Sequence, residues 1–551
     1  MKTFNPKLFT TLRTYSRKQF LNDVTAGTIV AIIALPLSIA LGIASGVSPE
    51  KGLVTAVIAG FLISFLGGSR VQIGGPTGAF MIIVYNIVAT HGISGLITAT
   101  FMAGVIMILL GLLRLGNVIK FVPYPIISGF TSGIALVIFT SQIKDFLGLE
   151  LNGNPTEFLE IWRNIFASLG ETRWETLAVG AAALSILIIW PKISKKIPAS
   201  LIAIIITTAA VFFLKMDVMT IGGKFQNLSG SFPAPAFPVF NMELVKSLMG
   251  PAVSIAILGS IESLLSAVVA DGVIGGKHRS NTELIAQGIA NIASSFFGGI
   301  PATGAIARTM ANIKNGGRTP VAGIVHSIVL ALIMIFLLPL AKLIPMAALS
   351  AILIMVAYNM SEWREFRAMF KSPKSDLAVM LITFGLTVMI DLVVAIEVGM
   401  VMAAILFMKR MADVTNVKEI KMDAAEELNG IEREDIIPYD SMSPDIQIYE
   451  INGPFFFGAA EKFIDGIKTL NSRTRIVIIR MRNVPFIDAT ALRAFEEVVR
   501  HCNSMKIGLL VSGLNPKAKQ ELSGSKVYEK IGGDRFFNTV EEAMAYGRSL
   551  I

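Results

Sequence analysis

Apolar runs of about 20 residues recur from Val24 to Met408, separated by short polar or basic connections. Crossing a hydrocarbon layer of about 30 Å takes roughly 20 helical residues, so the pattern predicts a polytopic α-helical membrane protein. Fourteen helices are expected, at 24–45, 52–68, 76–90, 93–113, 123–143, 174–190, 198–214, 250–270, 281–297, 304–313, 319–341, 345–359, 375–391 and 392–408. The third and tenth are too short to span alone. After Met411 the pattern turns soluble: Lys, Asp and Glu dominate to about Ser443, Ile446 to Ile451 alternates as a strand, and Arg475 to Ile479 reads as a buried one. Helical patterns at 459–470, 490–503 and 540–549 alternate with further strands, which makes a small α/β domain. The expected organisation is an N-terminal segment at 1–23, a transmembrane domain at 24–411, a linker at 412–443 and a soluble domain at 444–551.

Composition agrees: 53% of the 551 residues are hydrophobic and 16% charged, against about 25% charged in soluble domains. Basic residues fall in alternate connections. Lys2, Lys7, Arg13, Arg17 and Lys18 precede the first helix, Arg70 follows the second, Arg114 and Lys120 the fourth, and Lys192, Lys195 and Lys196 the sixth. Lys277 with Arg279, Lys314 with Arg318, the Arg364–Lys374 stretch, and Lys409 with Arg410 continue the series. Because short basic loops stay on the cytoplasmic side, both termini are expected in the cytoplasm of a multi-pass inner-membrane protein. The net charge of +9 is thereby accounted for at the membrane surface, with no call for nucleic acid. The first apolar run is expected to be a spanning helix and not a cleaved signal. A single Cys502 and four scattered histidines supply no disulfide framework and no metal-ligand pair, and no Gly-rich loop ends in the Lys-Ser/Thr that cradles nucleotide phosphates. No cofactor, metal or enzymatic site is expected.

The two halves echo each other. Gly75-Pro76-Thr77-Gly78-Ala79-Phe80, ahead of the third helix, recurs as Pro301-Ala302-Thr303-Gly304-Ala305-Ile306 ahead of the tenth. Seven helices per half is odd, so the second half enters from the opposite side, giving a 7+7 inverted repeat with a broken helix in each half. A helix that begins inside the membrane leaves its first amides unpaired unless they face a cavity or ligand, and its dipole places roughly half a positive charge there. Amides at Gly78, Ala79, Gly304 and Ala305, with the Thr77 hydroxyl, are therefore candidates to bind an anion; small residues also let helices pack closely. Arg308, one turn into the tenth helix, adds a fixed cation. Glu262, central in the apolar eighth helix, is a candidate proton carrier, since an ionisable group at that depth is by default functional. Asp391 and Glu397 read as structural.

Asp23-Val24-Thr25-Ala26-Gly27, Leu35-Pro36, Ala44-Ser45-Gly46-Val47-Ser48-Pro49, Gly75-Pro76-Thr77-Gly78 and the stretch from Gly259 to Asn312 together resemble the SulP family of sulfate permeases, most nearly its bacterial dicarboxylic acid transporter branch. The tail, through Phe486-Ile487-Asp488-Ala489-Thr490-Ala491-Leu492, resembles a STAS domain. The resemblance implies a core (helices 1–4 and 8–11) moving against a gate (5–7 and 12–14), usually as a homodimer, with a cytosolic regulator possible at the STAS domain. It also implies a substrate site at Thr77, Gly78, Ala79, Ala305, Ile306 and Arg308. Where sodium-coupled bicarbonate members carry Asp and Thr, this chain has Glu262 and Ile306, which favours protons. Where related anti-sigma antagonists are phosphorylated on Ser, it has Ala489. The expected activity is secondary transport of a small anion of the sulfate or C4-dicarboxylate class, coupled to protons. The alternatives are sodium-coupled bicarbonate symport, a nucleobase symporter of the same fold, and an anion sensor signalling through the STAS domain.

Overall fold

The computed structural model describes residues 4–117, 122–151, 157–194, 197–225, 228, 230, 232–238, 241–390, 392–420, 445–468, 470 and 473–551. Lys120, Lys195, Lys196, Asp391, most of the expected linker (421–443) and residue 444 lie outside the described residues. Two compact units result, Met1–Val401 and Met402–Ile551.

Every expected span overlaps a helix, the first thirteen in the first unit and the last crossing its boundary at Val401. We number them α1 (Arg17–Ala44), α2 (Pro49–Leu66), α3 and α4 (the two parts of Met81–Leu112), α5 (Tyr124–Leu147), α6 (Trp174–Ile193), α7 (Ala199–Leu214), α8 (Met242–Ile274), α9 (Ser280–Phe296), α10 (Ile306–Lys314), α11 (Val321–Ala341), α12 (Met346–Met360), α13 (Lys374–Met389) and α14 (Leu392–Val414). Local chemistry starts several of them. Ser16 accepts from the Gln19 amide ahead of α1, Asn241 accepts from Glu243 ahead of α8, and Pro49 opens α2 where its missing N–H is no loss. Gly92, at φ 67° and ψ −169°, breaks α3 from α4. Among the described residues, eight helices are long and apolar enough to cross a membrane.

The packing has the internal symmetry that the repeat predicts. Helix α1 lies on α11 as α8 lies on α4, α2 lies on α11 as α9 lies on α4, and α5 lies on α13 as α12 lies on α6. Each pair maps onto its counterpart by a shift of seven helices. Glycine permits close crossings here: a Cβ on Gly104 in α4 would stand 2.7 Å from the Gly288 carbonyl of α9, and one on Gly288 would stand 2.5 Å from the Gly104 carbonyl. An element absent from the expectation sits where the halves meet. Gly74–Gly75 (β1) pairs antiparallel with Thr303–Gly304 (β2), so the extended leads into the two broken helices cross as a pseudo-two-fold axis requires.

The second unit is a five-stranded sheet in the order β3 (Asn416–Ile420), β4 (Ile446–Asn452), β5 (Ile476–Asn483), β6 (Gly508–Ser512) and β7 (Phe536–Phe537), with β3 antiparallel and the rest parallel. Residues 412–443, expected as a linker, thus give their start to α14 and an edge strand to the sheet. Five helices complete the unit: α15 (Phe457–Lys468), α16 (Ala489–Ser504), α17 (Pro516–Ser523), α18 (Lys526–Ile531) and α19 (Val540–Leu550). The unbroken apolar run of β5 is explained by burial on both faces. Val477, Ile479 and Met481 pack with Phe455, Phe463 and Phe495, while Ile476 and Ile478 pack with Val540, Ala543 and Met544. Cys502 is fully buried there, and burial pushes its thiol up to about 11. Asp488 caps α16 through the Ala491 amide at 2.7 Å and also accepts from the Phe457 amide at 3.1 Å, tying α15 to α16.

Candidate functional site

Both broken helices begin beside the β1–β2 pair. After Thr77, residues Gly78–Phe80 form one turn of 3-10 helix that runs into α3, and α10 starts at Ile306, two residues beyond β2. Neither start has a side-chain cap. Orphan amides at a helix start need some partner, and two such starts meet here within the membrane unit.

Polar side chains of α8, α9 and α10 hold this region. The Thr77 hydroxyl donates to Glu262 Oε2 at 2.9 Å, which links the head of α3 to mid-α8. Arg308, 4% exposed, donates through Nη2 to the Pro76 carbonyl, while its Nη1 is buried without a partner among the described residues. Gly75 makes room for that guanidinium: its φ of +154° suits glycine, and a Cβ there would lie 2.3 Å from Nη1. The Ile73 amide donates to Thr309 Oγ1 at 3.1 Å, Asn312 Nδ2 donates to the Val71 carbonyl at 2.8 Å, and Asn291 takes both polar groups of Ala302. Gln72 Nε2 donates to Ser263 at 2.8 Å, and Ser263 donates to Glu283, which also receives the amides of Gly68 and Ser69. The leads into both broken helices are therefore clamped by side chains of α8, α9 and α10.

The candidate residues come together unevenly. Thr77, Gly78, Ala79, Glu262 and Arg308 share one neighbourhood, with Ile306 at the first turn of α10. Two expectations change. Gly304 lies in β2 and not at the head of the tenth helix, and a Cβ on it would run into Gln72. The Ala305 amide donates to the Ile73 carbonyl at 2.9 Å, so it is not a free donor. Arg308 also has an acidic neighbour, Glu262, which lies on another helix and so escapes a reading of the half-helix alone. Glu397 is exposed on α14. Sequence reasoning missed Gln72, Glu283, Asn291 and Asn312, all buried; their signal is a carboxamide or carboxylate inside or beside an apolar helix. Among the described residues no cluster of His, Cys, Asp and Glu suits a metal ion.

A model of the sulfate permease family matches residues 20–383, and a STAS domain model matches 441–543. A putative sulfate transporter of Bacillus subtilis is 38% identical over 96% of this chain and 98% of its own length. A bicarbonate transporter of Picosynechococcus is 30% identical over 95% of this chain and 94% of its own. The solved transmembrane domain of a cyanobacterial bicarbonate transporter superposes with a TM-score of 0.63 at 31% identity, covering 69% of this chain and 98% of that one. Murine Solute Carrier 26 family member A9, in the inward-facing state, shares the fold over 98% of this chain and 94% of its own, with a TM-score of 0.87 at 18% identity.

Proposed function

The chain belongs to the sulfate permease family, an anion transporter with a helical membrane domain and a C-terminal STAS domain, and on that footing we propose that it carries a small oxyanion bound between the starts of α3 and α10. The observation that carries this reading is the buried Nη1 of Arg308, without a partner among the described residues, on a side chain that reaches from the first turn of α10 to the Pro76 carbonyl just ahead of α3, where neither helix start has a side-chain cap. Buried polar groups are almost always hydrogen-bonded, and an anion would supply the acceptor. Its remaining oxygens would take the amides of Gly78 and Ala79 and those at the first turn of α10, while Arg308 is held in place by Pro76.

Glu262 gives the site a means of coupling. Its partners Thr77 and Arg308 belong to opposite repeats, and anion entry changes the charge that surrounds it. A proton taken up with the anion would keep the loaded core nearly neutral, which lowers the cost of moving it through an apolar layer. The core α1–α4 with α8–α11 would then shift against α5–α7 with α12–α14 and expose the site alternately to each side. A dianion of the sulfate or C4-dicarboxylate class suits a full cation plus two helix dipoles. The substrate class named for the Bacillus subtilis relative supports sulfate; the name of the Picosynechococcus relative supports bicarbonate as the second reading, with Glu262 and Ile306 weighing against sodium as its partner ion. We place both termini in the cytoplasm and the protein in the inner membrane, as a homodimer whose STAS domain receives a cytosolic regulator.

Uptake into proteoliposomes of labelled sulfate, succinate and bicarbonate, with and without an inward proton gradient, tests the proposal. Sulfate or succinate accumulation driven by the gradient supports it. Binding without accumulation means a sensor, and accumulation that needs sodium moves the chain to the second reading.

A further inference from the structure

A cavity of about 110 Å³ opens at the end of α1 and α5 away from the N-terminal segment; Ala44 of α1, Met81 and Tyr85 of α3, Thr140 of α5, Ile161 and Lys224 are among its lining residues. A water needs roughly 10–15 Å³ of such space, so several waters or one compact anion fit. Its inner end approaches the proposed substrate site. Met81 directly follows the Gly78–Phe80 turn, and a Cβ on Gly78 would stand 3.0 Å from Ile138 Cδ1 and 3.1 Å from Met360 Sδ. Ile138 and Met360 therefore pack over the start of α3, next to Met81 of the cavity wall.

The polar lining has a direction. Thr140, 0% exposed, lines the cavity, and its Oγ1 has no partner among the described residues. Four residues on, and hence on the same face of α5, stands Lys144. Lys224 pairs loosely with Asp145, at 3.7 Å, with side chains 39% and 24% exposed. Among the described residues, the charged ones that line the cavity are these three, two cations and one anion, which leaves one net positive charge in its lining. Glu50, Glu150 and the other acids of that face are not among the lining residues.

We infer that this cavity is an anion-capture subsite, in which Lys144 and Lys224 draw a small inorganic anion to the rim and the Thr140 hydroxyl holds it until Ile138 and Met360 part. The role rests on the transport reading above but concerns arrival and not turnover. Asp145 works against capture by holding Lys224, which sets a limit on how tightly an anion stays.

The test is initial uptake of sulfate at low ionic strength into oriented vesicles of the full-length protein. Steering by a charged cleft is worth roughly 10-fold to 10³-fold in association rate and is screened over about 10 Å at 0.1 M salt. Lys144→Gln with Lys224→Gln should lower kcat/KM for sulfate about 10-fold, leave kcat unchanged, and flatten the dependence on ionic strength. Asp145→Asn should change kcat/KM in the opposite direction. Thr140→Val, nearly isosteric, should lower it without altering the salt dependence. Entry from the face of the N-terminal segment should be unaffected in all of them. The proposal is overturned if the double variant lowers kcat with KM unchanged, or if Asp145→Asn and the lysine variants shift kcat/KM in the same direction. Should the wild-type protein bind sulfate without accumulating it, transport fails while capture remains testable by stopped-flow: unchanged sulfate association in the double variant would overturn it.

Discussion

Arg308→Ala separates charge from shape at the proposed anion site. The dipoles of α3 and α10 belong to the backbone and survive the change, whereas the guanidinium is a whole removable charge. At a separation of about 5 Å and an effective dielectric of about 20, it attracts each unit of ligand charge by about 3 kcal/mol. Sulfate should therefore lose about 6 kcal/mol of attraction and bicarbonate about 3 kcal/mol. The difference is about two decades of selectivity against the dianion. Removing Arg308 also strips the Pro76 carbonyl of its donor, which costs about 1–3 kcal/mol of stability, but that loss is blind to the ligand and cancels in the ratio. Equilibrium binding of both anions to purified protein gives the ratio directly, with Arg308→Lys as a partner variant that keeps the charge but loses the two-pronged geometry. Equal losses for the two anions in Arg308→Ala would refute the charge role and reduce Arg308 to a clamp on the Pro76 turn.

The remaining predictions address coupling, access, the soluble unit and topology. Glu262→Gln keeps an acceptor for Thr77 but cannot exchange a proton; uptake should lose its response to an inward proton gradient while binding is partly retained, and an intact gradient response would show that Glu262 only braces Thr77. Gly78→Val should block uptake of sulfate and bicarbonate alike, because its side chain meets Ile138 and Met360 within 3.1 Å; wild-type rates would remove the α3 start from the site. It is a cleaner probe than a change at Gly304, where Gln72 stands in the way. A soluble fragment starting near residue 412 should melt cooperatively and higher than one starting at Ser443, which lacks β3 and exposes the edge of β4; equal melting temperatures would make β3 an ornament. Cysteines at Phe4 and Ala545 should resist impermeant thiol reagents in intact cells, and labelling of either from outside would reverse the orientation.

Much of this protein is written in local composition. Lipid demands runs of about 20 apolar residues with internally satisfied backbones, so span number, the spacing of basic loops and the soluble tail can be read along the chain. The repeat is legible for the same reason, since Thr77-Gly78-Ala79 and Thr303-Gly304-Ala305 mark the two places where a run is too short. A charged residue at membrane depth is also visible by itself, which is how Glu262 and Arg308 were found. What the chain order hides is which of these residues meet. The β1–β2 pair joins residues 74–75 to 303–304, and no local rule anticipates a two-residue strand. That pairing turned Gly304 from a helix start into a strand residue and committed the Ala305 amide to Ile73. The strand at 416–420 was likewise invisible, because a charged edge strand looks like a linker until β4 supplies its partner. Burial of Glu283, Asn291 and Asn312 against loops far away in sequence, and the Nη1 of Arg308 left without a partner among the described residues, exist only once both repeats are folded together. Hydrophobic length is a property of each segment alone, whereas hydrogen-bond satisfaction is a property of pairs, and for this site the pairs were chosen by tertiary structure.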